Sequence, residues 1–111
     1  MRITKSNINE FIEGSSMDCS NKGITHIEYI PDGIKRLYCY NNKLTELPKL
    51  PDSLKRLYCR YNRLTELPKL PESLYYLDCH NNNLPYEITI GNIKEHNKLI
   101  KRKEILKRIC T

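Results

Sequence analysis

Glycine is scarce in this chain of 111 residues, which has four glycines, one phenylalanine and no tryptophan. No glycine-rich phosphate-binding loop is present, and neither a metalloprotease nor a kinase signature occurs. The chain also lacks an apolar run of about 18 residues, the length that a transmembrane helix needs. No signal-peptide pattern is recognisable. We therefore expect neither a membrane span nor classical secretion.

Residues with catalytic chemistry are present but do not form a recognisable group. The three histidines, His26, His80 and His96, lie at unrelated positions of the sequence. His80 directly follows Cys79, but the alternation of side chains along a strand would place the two on opposite faces. We therefore predict that the protein is not an enzyme and that it uses no cofactor.

What the sequence does contain is a repeat of 20 residues. The segments that begin at Leu37 and Leu57 agree at 14 of 20 positions. The same frame extends upstream through Cys19 and downstream through Cys79. A short fixed period is typical of a solenoid, in which neighbouring units stack to bury an apolar face that one unit could not bury alone.

One unit, residues 54–71, reads L-x-x-L-x-C-x-x-N-x-L-x-x-L-P-x-L-P. This pattern resembles the leucine-rich repeat. Its L-P-x-L-P ending is similar to the short repeats of secreted bacterial effectors and of giant-virus proteins. The resemblance covers residues 14–86, with units beginning at Gly14, Ile34, Leu54 and Leu74. It implies an α/β-type solenoid with one parallel β-sheet on the concave face, an extended, polyproline-like convex side and helical caps.

The residues of the repeat favour the same fold. Residues 57–59 alternate between apolar and polar, as a strand with one buried face should, and equal units would align such strands in a parallel sheet. Prolines three residues apart argue against a helix in the return and favour an extended segment: Pro48, Pro51, Pro68 and Pro71. An asparagine follows each strand and can satisfy buried backbone groups, so we predict a structural role for Asn42, Asn62 and Asn82.

The segments that flank the repeats, residues 1–13 and 87–111, are predicted to be its N-terminal and C-terminal caps. Asn7 and Glu10 fit the start of a helix with a capping box, and one face of that helix would carry Ile8, Phe11 and Ile12. Downstream, Ile88 and Ile90 would add one extended rung. Residues 92–109 would then form a helix that packs along one side through Leu99, Leu106 and Cys110.

Four of the five cysteines occupy the same inward position of successive units: Cys19, Cys39, Cys59 and Cys79. Free cysteine packs as a small hydrophobe, and such a column would extend over about 14 Å, so that one metal ion could reach two sulfurs at most. Neighbouring sulfurs would also be close enough for disulfides. The odd number of cysteines and their core position favour free thiols and hence a reducing, cytoplasmic compartment. No metal site is predicted.

The net charge of +6 is concentrated near the C-terminus. Residues 1–91 carry 12 basic and 11 acidic side chains, a net of +1, whereas residues 92–111 carry 7 and 2, a net of +5. This surplus is either the solvated face of a cap or a patch for nucleic acid, anionic lipid or an acidic protein. Because the predicted helix has no aromatic residue, we expect nucleic-acid binding there to be weak and independent of sequence.

Tyrosine and arginine dominate the outward positions of the predicted sheet, a surface that we call the Tyr/Arg face. Its predicted partner-binding residues are Arg36, Tyr38, Tyr40, Arg56, Tyr58, Arg60, Tyr61, Tyr76 and His80. Tyrosine and arginine often anchor protein interfaces, although Tyr–Tyr and Arg–Tyr contacts also stabilise an exposed sheet by themselves.

The sequence therefore favours a non-catalytic module that binds a partner protein through its concave face. The resemblance to effector and viral repeats would place this module in a host cytosol. The alternatives are a weak nucleic-acid binder that uses the basic helix and an assembly subunit that associates through the solenoid ends. In the assembly subunit, strand edges near Met17 and Ile88 would be unpaired.

Overall fold

The computed structural model describes the backbone of residues 1–110 and the side chains of residues 1–109. Within them, the elements in chain order are β1 (Arg2–Ile3), a 3-10 helix (Ile8–Phe11), β2 (Ile12–Glu13), β3 (Ser16–Asp18), β4 (His26–Ile27), β5 (Arg36–Tyr38), β6 (Arg56–Tyr58), β7 (Tyr76–Asp78), a second 3-10 helix (Ile90–Asn92) and α1 (Ile93–Cys110). Residues 43–55 and 63–75, which connect the central strands, contain turns but neither helix nor strand.

The main sheet has the strand order β2-β3-β5-β6-β7. From β3 to β7 the strands are parallel, and the pairing aligns Met17 with Leu37, Leu37 with Leu57 and Leu57 with Leu77. Because the units have equal length, each apolar position lies beside its counterpart in the next unit. The core therefore continues from rung to rung, with Leu37 and Leu57 fully buried beneath the sheet.

The cysteine column lies within this core. Cys19, Cys39 and Cys59 are fully buried, and Cys79 at the end of the stack is half-buried. None of these four sulfurs is bonded to another, and the Cys79 thiol donates a hydrogen bond to the Ile88 carbonyl at 3.3 Å. The cysteines therefore serve as small apolar side chains between the leucines of each rung.

The asparagines form a ladder that joins consecutive rungs. Asn62 Nδ2 donates to the carbonyls of Cys39 and Cys59, at 3.0 Å each, and its Oδ1 accepts from the Leu44 amide at 3.1 Å. Asn42 and Asn82 make the equivalent bonds one rung to either side. Each amide satisfies backbone groups of two rungs at once, as the sequence predicts.

A second ladder, which the sequence analysis did not identify, runs along the turn that precedes each strand. Ser53 Oγ donates to the Ile34 carbonyl at 2.8 Å and accepts from the Gly33 amide at 3.1 Å. Ser73 Oγ likewise bonds to the Leu54 carbonyl at 2.7 Å. The serines therefore connect successive turns in the same way that the asparagines connect successive strand ends.

The N-terminal cap differs from the predicted helix. The 3-10 turn is only four residues long, and Ile12 lies in β2, which is antiparallel to β3. Asn7 does not cap a helix, because its Oδ1 accepts from the Thr4 amide and its Nδ2 donates to the Arg2 carbonyl. The open backbone of the first rung accounts for the difference, because pairing with a strand satisfies more of its groups than a helix could.

The repeats form the predicted parallel sheet from β3 to β7, and the N-terminal cap adds the antiparallel strand β2 to it. A second, two-stranded parallel sheet, which was not predicted, joins β1 to β4. The edge near Met17, predicted to be unpaired, is covered by β2.

At the other end, the predicted extra rung is also wrong. Ile88 is buried, but Ile90 begins a 3-10 turn, and no strand follows β7 within the described residues. The helix then forms at nearly the predicted place, from Ile93 to Cys110. The Thr89 amide donates to Asn92 Oδ1 at 2.8 Å, which ties the chain into the start of this helix.

Helix α1 does not pack through the predicted face. Leu99 and Leu106 are 38% and 52% exposed, and the side chain of Cys110 lies outside the described residues. The contact is made instead by His96, which is buried, and by Asn97, whose amide exchanges two 2.8 Å bonds with the backbone of Leu70. With no further rung to pair with Leu70, a polar helix side chain satisfies its backbone groups.

Candidate protein-binding surface

Tyrosine rings form a continuous stack across the central strands of the main sheet. Tyr38 and Tyr58 lie opposite each other on β5 and β6, with ring centroids 4.6 Å apart and planes inclined by 10°. Tyr76 of β7, which is aligned with Arg56, approaches Tyr58 at 4.9 Å with an inclination of 34°. Parallel strands in register bring these rings into contact, and the contacts hold the rings in fixed orientations.

Two arginines extend this aromatic surface. The guanidinium carbon of Arg56 lies 5.3 Å from the ring centroid of Tyr75, and Arg56 Nε donates to the Tyr75 hydroxyl at 3.0 Å. This hydrogen bond lowers the pKa of Tyr75, because it favours the phenolate beside a cation. Arg60 lies over the Tyr40 ring at 5.6 Å, and its Nη1 is 3.6 Å from Asp78 Oδ2.

The remaining predicted residues lie at the margins of this cluster. Arg36 is exposed and pairs with Arg56 across β5 and β6. His80 is exposed just beyond β7, and its carbonyl accepts from the Tyr61 amide at 3.0 Å. Tyr75 was not among the predicted residues, since its counterparts Lys35 and Lys55 gave no aromatic pattern at that position.

Tyr61 has an unusual backbone conformation. Its φ is 56°, in the left-handed region, where the equivalent residues of the other rungs are Asn21, Asn41 and Asn81. Asparagine tolerates this conformation, whereas a bulky side chain adopts it at a cost. The Tyr61 side chain is 51% exposed, and no hydrogen bond or ring contact joins it to the rest of the described chain.

Among the side chains that the structure describes, no cluster of three or more histidine, cysteine, aspartate or glutamate residues could hold a metal ion. Within the same part of the chain, no helix has both the length and the hydrophobicity that crossing a membrane requires.

Comparison with known proteins identifies the fold. No protein-family model matches the sequence, and no curated protein sequence matches it. Among solved structures, YopM from Yersinia enterocolitica WA-314 is 39% identical over 68% of this chain, with a TM-score of 0.64. The chain has a leucine-rich-repeat fold. This leucine-rich-repeat chain spans 17% of the length of YopM, so the two share a run of repeats and not a whole protein.

Proposed function

We propose that the chain is a non-catalytic recognition module that binds a partner protein through the Tyr/Arg face. The observation that carries the proposal is Tyr61, a half-exposed aromatic side chain at a backbone position where the other rungs have asparagine. An unfavourable residue that contributes little to the fold is typical of a functional site. A partner that covers the ring would account for its presence.

The surroundings of Tyr61 support the same role. The stacked rings of Tyr38 and Tyr58 are held in place before any partner arrives, which reduces the entropy lost on binding. Arg60, adjacent to Tyr61, is held by the Tyr40 ring and by Asp78, so that its guanidinium is also oriented. Oriented tyrosine and arginine side chains are the usual anchors of protein interfaces.

The size of the surface limits what this face can do alone. Four strands of three residues each offer roughly 190 Å², whereas a standard interface buries about 800 Å² on each partner. Tyr75 and Tyr61, both more than half exposed, widen the face beyond the strands. We therefore expect a partner that extends past the sheet onto these two rings.

The test is Tyr61→Asn, which we expect to separate folding from binding. Asparagine suits the left-handed backbone, so the free energy of unfolding should rise by about 0.5–1 kcal/mol in urea titrations. Affinity for a protein recovered with the wild-type chain should fall about tenfold or more, as for other interface anchors. A variant that gained stability and kept every bound protein at wild-type affinity would refute the proposal.

Asn81→Tyr is a matched control, because it places a tyrosine at the equivalent backbone position one rung away. Alone it should lower stability by about the amount that Tyr61→Asn raises it. Combined with Tyr61→Asn, it should not restore binding if the location of the ring on the Tyr/Arg face is what matters.

The other roles that the sequence indicates stay predictions. The edge strands of the main sheet are β2 and β7, at either of which a second copy could pair, and light scattering over a range of concentrations would detect such association. Binding of nucleic acid by α1 is checked by titration of labelled DNA and RNA at low and moderate salt. The cytoplasmic or host-cytosol location likewise stays a prediction.

A further inference from the structure

The second half of α1 buries none of its described side chains against the repeats. From Lys101 to Ile109 every side chain is exposed. Three of them are large and apolar: Ile105 is 44% exposed, Leu106 52% and Ile109 73%. A surface helix normally turns such residues toward the core, so their exposure here requires another explanation.

These three residues lie on the side of the helix opposite to the one that docks. The docked side is defined by Ile93, His96 and Asn97, which contact the core and the last repeat in the first half of α1. At about 100° per residue, the mean direction of Ile105, Leu106 and Ile109 is roughly 180° away from that side. The repeat domain of the same molecule therefore does not cover them.

Basic residues border this apolar strip on both sides. On the helical projection Lys101 and Arg108 lie next to Ile105, and Lys103 lies beyond Leu106. Arg102 lies within the strip, between Ile109 and Leu106, whereas Lys107 lies on the docked side. Residues 92–111 carry seven basic and two acidic side chains, and Glu104 lies on the docked side. Exposed aliphatic side chains among lysines and arginines suit a helix that lies in the plane of a membrane surface, where the basic side chains extend to the lipid phosphates.

We propose that the second half of α1 binds the surface of an anionic lipid bilayer. Ile105, Leu106 and Ile109 would enter the boundary between headgroups and acyl chains. The lysines on either side would extend their ammonium groups to the lipid phosphates while their methylene stems cover apolar surface. The helix would then tether the solenoid to the membrane and leave the Tyr/Arg face available for its partner.

Charge complementarity selects this occupant over the alternatives. Nucleic acid would neutralise the lysines but leave the aliphatic side chains in water, and the helix offers no aromatic residue for base stacking. A second copy of the helix would cover the aliphatic strip but bring a net charge of +5 against +5. An anionic bilayer satisfies both the charges and the apolar strip. With three aliphatic residues, binding should be reversible and weakened by salt.

Because the full chain contains no tryptophan, the fluorescence of one introduced tryptophan tests whether its position enters the membrane. Leu106→Trp introduces a single tryptophan, whose emission should shift to the blue with vesicles of phosphatidylcholine and about one third phosphatidylserine, but not with pure phosphatidylcholine. Tyr75→Trp places the single tryptophan on the solenoid, where the emission should not change. An unshifted Leu106→Trp spectrum at low salt would overturn the proposal.

Vesicle flotation of tryptophan-free variants then separates the apolar contribution to membrane binding from the electrostatic contribution. Ile105→Gln with Ile109→Gln keeps every charge and should weaken binding to the anionic vesicles by about tenfold or more. Lys101→Gln with Lys103→Gln should have a comparable effect, whereas the same charge loss on the repeats, Lys43→Gln with Lys49→Gln, should change binding less than about threefold.

The competing occupants give different results. If the aliphatic double variant binds as well as wild type, or if an acidic polypeptide or duplex DNA shifts the Leu106→Trp emission and vesicles do not, the lipid proposal is wrong. None of these outcomes depends on the Tyr/Arg face, so failure here leaves the proposed protein recognition unaffected.

Discussion

Replacing Asn62 by alanine should lower the free energy of unfolding by about 3–5 kcal/mol. The change removes bonds to the carbonyls of Cys39 and Cys59 and to the amide of Leu44. Asn62 is buried in the middle of the stack, so water does not readily replace those bonds. Each buried backbone group left without a partner costs about 1–3 kcal/mol. Urea unfolding followed by circular dichroism measures the loss.

Asn82→Ala provides the matched comparison, because Asn82 makes the same set of bonds in the last repeat. Asn82 is only half-buried, and solvent can reach the groups that it leaves, so we expect about half the loss. Equal losses for the two variants, or a loss below about 1 kcal/mol for Asn62→Ala, would contradict a ladder that stabilises the core.

The central repeats could be predicted from the sequence because the period itself fixes their register. Once Leu37 is aligned with Leu57, the positions of Asn62, Tyr38 and Tyr58 in neighbouring rungs follow. The unusual conformation at Tyr61 was available from the same alignment, since asparagine occupies the equivalent position in the other rungs. The same alignment places Ser53 and Ser73 at equivalent positions of successive repeats, so the serine ladder could also have been predicted.

The caps were less predictable, because no repeat constrains them. The spacing of Ile8, Phe11 and Ile12 fits a helix, but a short helix gains less than a strand that pairs with the open edge of β3. In α1, the spacing of Leu99 and Leu106 predicted the side of the helix that packs against the repeats. The side chains that bond to the last repeat are instead the polar His96 and Asn97. Only the structure places unpaired backbone groups of Leu70 and Pro68 opposite Asn97 and His96.

On the Tyr/Arg face, too, the sequence predicts the positions of the residues but not the contacts of their side chains. The registers of Arg56, Tyr58 and Tyr76 could be read from the sequence, but the ring stacking and the Arg56–Tyr75 hydrogen bond depend on side-chain conformations. Periodicity predicts which residues share a face. It does not predict which of them satisfy one another and which, such as Tyr61, lack a side-chain partner among the described residues.

Stability should decrease steeply as the pH rises above about 9, because the core contains a column of thiols. Burial raises the pKa of Cys19 from its ordinary value of 9.0 to about 12. Burial, followed by the neighbouring thiols, raises the pKa values of Cys39 and Cys59 as well. In the unfolded chain these thiols ionise near 9.0, whereas the folded chain keeps them protonated.

The direction of this pH dependence follows from the numbers of protons that the folded and unfolded states bind. Above pH 9 the unfolded state holds fewer protons than the folded state, so each further rise in pH favours unfolding. The contribution of the thiols is therefore complete below pH 9 and is lost as the pH approaches their folded-state pKa values. Each thiol contributes at most about 1.4 kcal/mol per pH unit, so the three together approach ~4 kcal/mol per unit.

Urea unfolding at pH 8, 9 and 10, with a reductant present, measures this slope. Tyrosines and lysines also ionise in this range, so the control is the double variant Cys39→Ala with Cys59→Ala. Lost packing will lower its stability at every pH, but the thiol part of its slope should fall to about half, because only Cys19 and the half-buried Cys79, whose pKa burial also raises, remain of the column. If the wild-type and double-variant slopes coincide, the column does not resist ionisation, and the inference that these thiols are inert core residues fails.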